Sequence, residues 1–269
     1  MEPRIVDPKE AKPFNNDKRG LVEFKDVTFK YPGAHEAVLE NISFTAKPGQ
    51  TTALIGSTGS GKSTLINLIP RFYEVSEGSI MIDGVDIRDV KQHDLRDKIG
   101  LVPQKGLLFS GTIRSNLTYG APDATDEQLE EVIKVAQAKE FIDHKEEHLD
   151  SKISQGGTNV SGGQKQRLAI ARAIAKNPEI FIFDDSFSAL DFKTDAMLRQ
   201  ELNKMIKKTK NTVLIVGQRI ASIMSADQII VLDEGRIVGK GKHDELMKDC
   251  KVYQEIAYSQ LSKEELGHE

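Results

Sequence analysis

The chain reads Gly56-Ser57-Thr58-Gly59-Ser60-Gly61-Lys62-Ser63-Thr64 between an apolar run at Thr52 to Ile55 and an apolar, helix-patterned run at Leu65 to Phe72. Glycines allow a backbone to curl so that successive N–H groups face a phosphate, and the positive end of the following helix also favours an anion. Lys62 is expected to reach the β- and γ-phosphates of a nucleotide, and Ser63 to ligate Mg²⁺. Because a chance glycine-rich turn would lack the flanking strand and helix, the stretch predicts a phosphate-binding loop.

The overall composition narrows the class of protein. The 269 residues carry a net charge of −4, which gives no sign of a polyanion partner such as nucleic acid. The longest apolar runs, such as Ile180 to Phe183, are far shorter than the roughly 20 residues that span a bilayer, so no membrane span is expected. The single cysteine, Cys250, excludes an internal disulfide and is expected to be incidental. Without a signal-peptide pattern, a reducing cytoplasmic setting fits.

Alternating strand and helix patterns indicate a mixed α/β domain. Residues 1–20 contain three prolines and many charges, which is typical of a linker. Short apolar runs between Val22 and Ala46 predict an antiparallel sheet before the loop, and Asp83-Gly84 predicts a hairpin after it. Further strands are expected at Ile99 to Val102 and, as a second hairpin, on both sides of Asp233-Glu234-Gly235.

From Leu107 to about Ala175 the pattern changes to helices, with a capping box at Thr125-Asp126-Glu127-Gln128. Strand character returns at Ile180 to Phe183 and at Thr212 to Val216. A helix lies between those two strands, with Leu198, Leu202 and Met205 predicted on one face. Strands separated by a helix indicate a parallel α/β core that follows a helical insertion.

Two carboxylates, Asp184 and Asp185, directly follow the buried run that ends at Phe183. Ligand sites in open α/β sheets lie at this end of the strands. Asp184 is expected to hold Mg²⁺ through a coordinated water beside Ser63, and Asp185 to face an attacking water. Two acidic residues that merely cap a strand end are the plain alternative.

A second glycine-containing motif reads Val160-Ser161-Gly162-Gly163-Gln164-Lys165-Gln166-Arg167. Ser161 is a good N-cap, and the two glycines leave N–H groups bare at the start of a helix. The segment therefore predicts another anion site, with a plain capped helix as the alternative.

These eight residues resemble the family motif of the ABC ATPases, and neighbouring motifs agree in the expected order. Tyr31 is similar to the aromatic residue that stacks on adenine, Gln104 to the Q-loop glutamine, and Ser188-Ala189-Leu190-Asp191 to the D-loop. The resemblance covers roughly residues 21–258. It implies a P-loop NTPase with a RecA-like parallel core, an N-terminal antiparallel β-subdomain and an inserted α-helical subdomain at about 107–175. Residues 1–20 would then be the linker from a missing membrane domain, and 259–269 a charged tail.

The resemblance also implies partners and a location. In the family two domains associate head to tail, so the Ser161 segment would close over ATP held by a partner's loop. Leu108 to Ile113 followed by Asn116-Leu117, and the end from Tyr253 to Gln260, look like segments of exporter half-transporters. The helical insertion would receive coupling helices from membrane domains, at the cytoplasmic face of the cell membrane.

The resemblance implies ATP and Mg²⁺ as cofactors and assigns site residues in three groups. The catalytic group comprises Gln104, Asp185 and Gln218. The metal group comprises Ser63, Gln104 and Asp184. The nucleotide contacts are Tyr31, Ser57, Thr58, Gly59, Ser60, Gly61, Lys62, Ser63, Thr64, Ser161, Gly162, Gly163, Gln164 and Asp191.

Three positions depart from the family pattern. Asp185 stands where hydrolysing members have a glutamate, and its carboxylate is shorter by one methylene, about 1.5 Å. Gln218 stands where a switch histidine is expected, and a glutamine cannot carry the imidazolium charge. The segment from Ser151 to Gly163 also lacks the acidic residue with which exporters contact the membrane domain.

Two weakened groups beside an intact Ser161 motif favour one interpretation: the degenerate-site half of a heterodimeric exporter. This chain would bind ATP and turn it over slowly, while its Ser161 segment completes the competent site of its partner. A homodimer that tolerates both changes is one alternative. A soluble ABC ATPase that acts on DNA or ribosomes is another, although no basic stripe supports it. A small-molecule kinase would leave the Ser161 motif unexplained.

Overall fold

The computed structural model describes residues 5–260, which form two larger β-sheets, one minimal sheet and ten α-helices within that range. Single 3-10 turns occupy Asn16–Lys18, Ile87–Asp89, Thr118–Gly120, His148–Asp150 and Gln155–Gly157. The strands are β1 (Val22–Phe29), β2 (Leu39–Ala46), β3 (Thr51–Gly56), β4 (Glu77–Ile82), β5 (Val85–Asp86), β6 (Ile99–Val102), β7 (Gly111–Thr112), β8 (Lys152–Ile153), β9 (Ile180–Asp184), β10 (Thr212–Val216), β11 (Gln228–Asp233) and β12 (Arg236–Gly241). The helices are α1 (Lys62–Leu68), α2 (Gln92–Asp97), α3 (Ile113–Leu117), α4 (Asp126–Val135), α5 (Lys139–Asp143), α6 (Gly162–Ala175), α7 (Phe192–Thr209), α8 (Ile220–Ile223), α9 (His243–Asp249) and α10 (Lys251–Gln260).

The first sheet is antiparallel and has the strand order β2-β1-β4-β5. Val22 in β1 pairs with Ala46 of β2 on one side and with Ile82 of β4 on the other. Along β1 and β2 most buried residues alternate with more exposed ones, as expected for a sheet that is covered on one side. Phe24 and Phe44 stack with ring centroids 4.6 Å apart and pack in the same core as the buried side of α1. The predicted antiparallel sheet is confirmed.

The central sheet has the order β12-β11-β3-β10-β9-β6, and all pairs except β11 with β12 are parallel. Every residue of β10 is buried, which matches its continuous apolar sequence. Parallel strands end at the same edge of a sheet, so the ends of β3, β9 and β10 lie side by side. This edge receives Gly56, Asp184 and Val216, the last residues of those strands.

The helical insertion lies between β6 and β9 and contains α3 to α6 together with the two-residue sheet of β7 and β8. Its apolar residues form one core with the outer face of the central sheet, where Phe181 and Phe183 contribute. The predicted capping box is present at α4, because Thr125 and Gln128 each bond the backbone N–H of the other. The insertion is thus packed on the sheet that carries the site.

Two local predictions needed correction. The helix after the glycine-rich loop ends at Leu68 rather than continuing to Phe72. Pro70 has no N–H to continue the helix, and Arg71 then adopts a left-handed φ of 57°. On α7 the predicted face needed one addition: the buried Ile206 continues the four-residue spacing of Leu198 and Leu202, and Met205 is partly buried against the same core.

The segment before β1 is tied to both large sheets by a buried carboxylate. Asp83, in the turn between β4 and β5, accepts the backbone N–H groups of Gly20 at 2.6 Å and Leu21 at 3.1 Å. The Lys98 ammonium lies 2.9 Å from Asp83 and 2.5 Å from Glu179, the residue that precedes β9. Residues 18–21 are therefore anchored on the folded domain.

No α-helix between residues 5 and 260 has the length and apolar character needed to cross a bilayer. Of the charged tail predicted at 259–269, residues 261–269 lie outside the described residues. Ser259 and Gln260 belong to α10, which continues two residues beyond the expected domain end at 258.

Candidate functional site

The glycine-rich loop connects the end of β3 to the start of α1, at the edge where the parallel strands end. Its lysine is folded into the loop: Lys62 Nζ donates to the carbonyl oxygens of Gly56 at 2.8 Å and Ser57 at 2.7 Å, and to Ser60 Oγ at 3.2 Å. Burial lowers the pKa of Lys62. A half-buried ammonium held only by neutral oxygens has capacity for an anionic partner.

Two glycines make this loop possible. A Cβ on Gly56 would lie 2.0 Å from the carbonyl oxygen of Leu232, so no larger residue fits against β11. Gly61 precedes α1 with a φ of 100°, which residues with a side chain rarely adopt. By contrast, a Cβ on Gly59 would meet nothing within 4 Å. The loop is therefore packed at its ends and open at its tip, as a cradle for a ligand requires.

A hydroxyl and a carboxylate meet beside Lys62. Ser63 Oγ in the first turn of α1 donates to Asp184 Oδ1 at the end of β9, at a distance of 3.0 Å. Burial raises the pKa of Asp184, and Ser63 and Lys62 oppose that shift. Oxygen ligands of this kind suit Mg²⁺, which commonly binds one or two protein oxygens together with substrate phosphates. The residues present therefore fit a magnesium–nucleotide complex.

Two glutamine side chains converge on Asp185. The Nε2 groups of Gln104, just after β6, and Gln218, just after β10, donate to the same Oδ2 atom at 3.1 and 2.8 Å. Asp185 itself has a left-handed φ of 46°, and its backbone N–H donates to the carbonyl oxygen of Val216 at 3.0 Å. Burial raises the pKa of Asp185. A strained, buried carboxylate held by two amides indicates a functional position.

These groups line one open cleft of about 470 Å³. The cleft brings together most of the residues expected at the phosphates and at the metal. It also includes residues from α10 that sequence reasoning did not assign to the site. The predicted site residues that line it are Ser57, Thr58, Gly59, Lys62, Ser63, Gln104, Asp184, Asp185 and Gln218.

Tyr31 lies beside the first turn of α1. Its hydroxyl is 2.9 Å from Thr64 Oγ1, and its ring packs edge-on against Phe29 and Tyr73. Ser60 is buried and contributes the loop oxygen that receives Lys62. The structure thus places the predicted aromatic beside the loop helix, on the outside of the phosphate cleft.

The Ser161 motif forms the N-terminus of α6 and does not contribute to the lining of the cleft among the described residues. Ser161 Oγ accepts the N–H of Gln164 at 3.2 Å, and Gln164 Oε1 accepts the N–H of Ser161 at 3.1 Å. A Cβ on Gly162 would meet nothing within 4 Å, so the helix end is open. Asp191 caps α7 through Thr194, whose backbone N–H lowers the Asp191 pKa. Neither the Ser161 motif nor Asp191 therefore lines the cleft that the chain builds for itself.

Helix α10 supplies the residues that sequence reasoning missed. Ile256, Ser259 and Gln260 line the cleft opposite the glycine-rich loop. The signal was present in the spacing of the buried Tyr253 and Ala257, which continues by three residues to Gln260.

Comparison with known proteins agrees with this geometry. An uncharacterized ABC transporter ATP-binding protein of Mycobacterium bovis is 48% identical over 251 residues, which cover 92% of this chain and 42% of that protein. The ATP-dependent lipid A-core flippase of Pseudomonas aeruginosa is 43% identical over 229 residues, 85% of this chain and 38% of the flippase. A solved structure of a bacterial Atm1-family ABC exporter with ATP bound matches with a TM-score of 0.91 at 34% identity, over 97% of this chain and 45% of the exporter chain.

The chain thus spans less than half the length of these proteins. A family model described as ABC transporter matches residues 39–188, from the start of β2 to the turn after β9. The match includes the glycine-rich loop, the Ser161 motif and the Asp184–Asp185 pair, and the fold is that of an ABC ATPase domain. On these grounds the chain belongs to the ABC transporter family.

Proposed function

We propose that this chain is the ATP-binding domain of an exporter, which binds Mg-ATP in the cleft and associates head to tail with a second ABC domain. The observation that carries the proposal is the contact of Ser63 with Asp184 beside the half-buried Lys62. One cation and two hard oxygen ligands at the end of a parallel sheet match the needs of a nucleotide triphosphate with its metal.

The roles at the phosphates follow from charge. The ammonium of Lys62 neutralises the β- and γ-phosphates, and the loop backbone from Ser57 to Gly61 supports them. Ser63 and Asp184, with Gln104 nearby, hold Mg²⁺, which when bound offsets the charge that develops on the transferred phosphoryl group. Thr64 anchors the hydroxyl of Tyr31, whose ring is the proposed platform for adenine.

Slow turnover is the proposed property of this chain's own site. Asp185 has the role of the water-polarising carboxylate, and aspartate and glutamate barely differ in intrinsic basicity, with pKa values of roughly 3.9 and 4.3. Its deficit is reach, since its side chain is one methylene shorter than a glutamate by about 1.5 Å. Gln218 already donates to Asp185 at 2.8 Å and supplies a neutral amide where an imidazolium would supply a charge.

The Ser161 motif is proposed to act on a partner's nucleotide. Its capped helix end is open, and it lies outside the chain's own cleft. Gly162, Gly163 and Gln164 present N–H groups at that end, which is the arrangement that favours phosphate. Asp191, at the start of α7, would contact the partner across the same interface. We propose a heterodimer, because one chain then combines a weakened site with an intact closing motif.

The transport role rests on the relatives. The flippase is by name an ATP-dependent transporter, and the matching structure is an exporter with ATP bound. Both are more than twice as long as the matched segment, so membrane domains are the proposed partners of this chain. Residues 1–20 would be the connection to such a domain, residues 21–258 the ATP-binding domain and 259–269 its tail. The whole assembly would lie with this domain at the cytoplasmic face of the membrane.

Ser161→Ala tests the head-to-tail arrangement. The complex is formed with a second ABC domain that has glutamate and histidine at the positions equivalent to Asp185 and Gln218. In this complex Ser161→Ala should lower the turnover of Mg-ATP about tenfold or more. It should leave ATP binding by this chain's own loop within twofold, since Ser161 is not in that cleft.

Thr125→Ala is the matched control for Ser161→Ala. Thr125 also caps a helix of the insertion with a capping box, so each change should cost about 1 kcal/mol of stability. Only Ser161→Ala should affect turnover. Equal loss of turnover in both variants would mean that the motif acts through folding alone and would contradict the head-to-tail role.

Two alternatives to this proposal can be tested. One is a soluble ABC ATPase that acts on DNA or ribosomes, and the other is an exporter domain that forms a homodimer. Capture of this chain on immobilised exporter membrane domains, compared with its retention on nucleic acid, distinguishes the proposed exporter domain from a soluble ABC ATPase. We expect retention on the membrane domains alone. Sedimentation of the chain alone with Mg-ATP distinguishes a heterodimer from a homodimer, because a homodimer would form without any other chain.

A further inference from the structure

The side chain of Gln260 forms a two-bond clamp on the loop that carries Gln218. Its Nε2 donates to the Gln218 carbonyl oxygen at 2.8 Å, and its Oε1 accepts the Ile220 N–H at 2.8 Å. The two bonded residues flank Arg219, so a single amide spans the whole turn between β10 and α8. Opposed donor and acceptor bonds of this kind fix both the position and the rotation of the backbone they hold.

The turn needs this partner because it lacks one of its own. Helix α8 begins at Ile220, and its N-cap residue, Arg219, makes no side-chain capping bond. The N–H of the first residue of a helix, here Ile220, has no carbonyl partner within the helix and needs an acceptor from outside it. Gln260 supplies that acceptor from a different helix, 40 residues further along the chain.

Helix α10 is a firm base for the clamp. Tyr253 and Ala257 are fully buried, and the Tyr253 hydroxyl is 2.8 Å from His243 Nδ1 of α9. Gln260 lies one turn beyond Ala257, at the rim of the cleft that Lys62 and Gln218 also line. A movement of the turn relative to α10 would therefore break both bonds.

We infer that Gln260 is a positioning residue, which holds the turn after β10 so that the Gln218 amide points into the phosphate cleft. The inference rests on the proposed function, in which the Gln218 amide takes the place of an imidazolium, and it adds that this amide contacts the γ-phosphate. Gln260 itself need not touch the nucleotide. The effect of replacing Gln260 should be confined to nucleotides that have a γ-phosphate, because Gln218 has no proposed role at the α- or β-phosphate.

The test compares two nucleotides on the full chain. Calorimetric titration with Mg²⁺ and adenylyl imidodiphosphate, a hydrolysis-resistant ATP analogue, measures binding with a γ-phosphate, and Mg-ADP measures binding without it. Gln260→Ala should weaken the analogue about three- to fivefold, as expected for the loss of a surface hydrogen bond, and leave Mg-ADP unchanged. In a Gln218→Ala background the same change should have no further effect.

Gln254→Ala is the matched control. Gln254 lies on the same helix and also donates to two backbone carbonyls, those of Met247 and Lys248, away from the turn. It should change neither affinity. Equal weakening of both nucleotides by Gln260→Ala, no weakening, or the same loss with and without Gln218 would overturn the inference alone. Failure of the unaltered chain to bind either nucleotide would overturn the proposed function as well.

Discussion

Replacement of Lys62 by alanine should weaken the binding of Mg-ATP by at least about a hundredfold. Lys62 is the one basic side chain among the described residues that line the cleft, where it faces the carboxylates of Asp184 and Asp185. Hydrogen bonds to charged groups contribute about 1.5–3 kcal/mol each, and the ammonium would serve two phosphates. Without it the triphosphate would meet two acidic side chains, neutral polar side chains and backbone dipoles, and no cation from the described lining of the cleft. Equilibrium titration with a fluorescent ATP analogue measures the loss.

The fold should survive the Lys62→Ala change. Burial lowers the pKa of this lysine, which means that the folded chain gains little from its charge before a ligand arrives. The midpoint temperature of thermal unfolding without nucleotide should change little, because relief from burying a charge offsets the loss of the three hydrogen bonds that Lys62 makes within the loop. Lys47→Ala, which removes the same charge from an exposed site, is the control for net charge. Mg-ATP affinity within twofold of the unaltered chain would show that the nucleotide does not use this loop.

The second large effect should be a gain. Asp185→Glu together with Gln218→His is expected to raise the rate of ATP turnover at this chain's site on the order of a hundredfold, in complex with a second ABC domain. The glutamate restores about 1.5 Å of reach, and the histidine can carry a positive charge toward the γ-phosphate. Steady-state release of phosphate by the complex measures the rate.

The neighbouring carboxylate provides the control for the double change. Asp184→Glu adds the same methylene, but Asp184 is already 3.0 Å from Ser63, so its extension should displace the metal ligands and lower turnover. Each single change at Asp185 or Gln218 should give less than the pair, because both groups serve one transition state. If the double change brought no gain, these two residues would not be the limiting defect.

Local patterns in the sequence predicted most of the fold. Strands β6 and β10 have the bounds of their apolar runs, and the capping box predicted at Thr125 and the N-cap predicted at Ser161 are both present. The pairing between strands that are distant in sequence was harder to predict. Because Val22 pairs with both Ala46 and Ile82, the hairpin after the loop joins the sheet before it, which no local signal could establish.

The site was predictable where one motif supplies several groups in order. The loop, Asp184 and Asp185 follow strands whose shared edge could be inferred, and the structure brings them together. Two contacts depend on tertiary packing instead. The convergence of Gln104 and Gln218 on one oxygen of Asp185 requires the order of β6, β9 and β10. The clamp by Gln260 requires α10 to pack beside the turn, and sequence patterns assign that residue to the tail.

The central claim is that this chain's glycine-rich loop binds ATP and hydrolyses it only slowly. The most direct test is to incubate the purified chain with Mg-ATP, quench at set times, and measure bound ATP and ADP. The account predicts close to one ATP per chain, with turnover at least a hundredfold below the roughly 10 per second that is typical of enzymes. Turnover at that typical rate by this chain alone, with ADP in the site at early times, would contradict it.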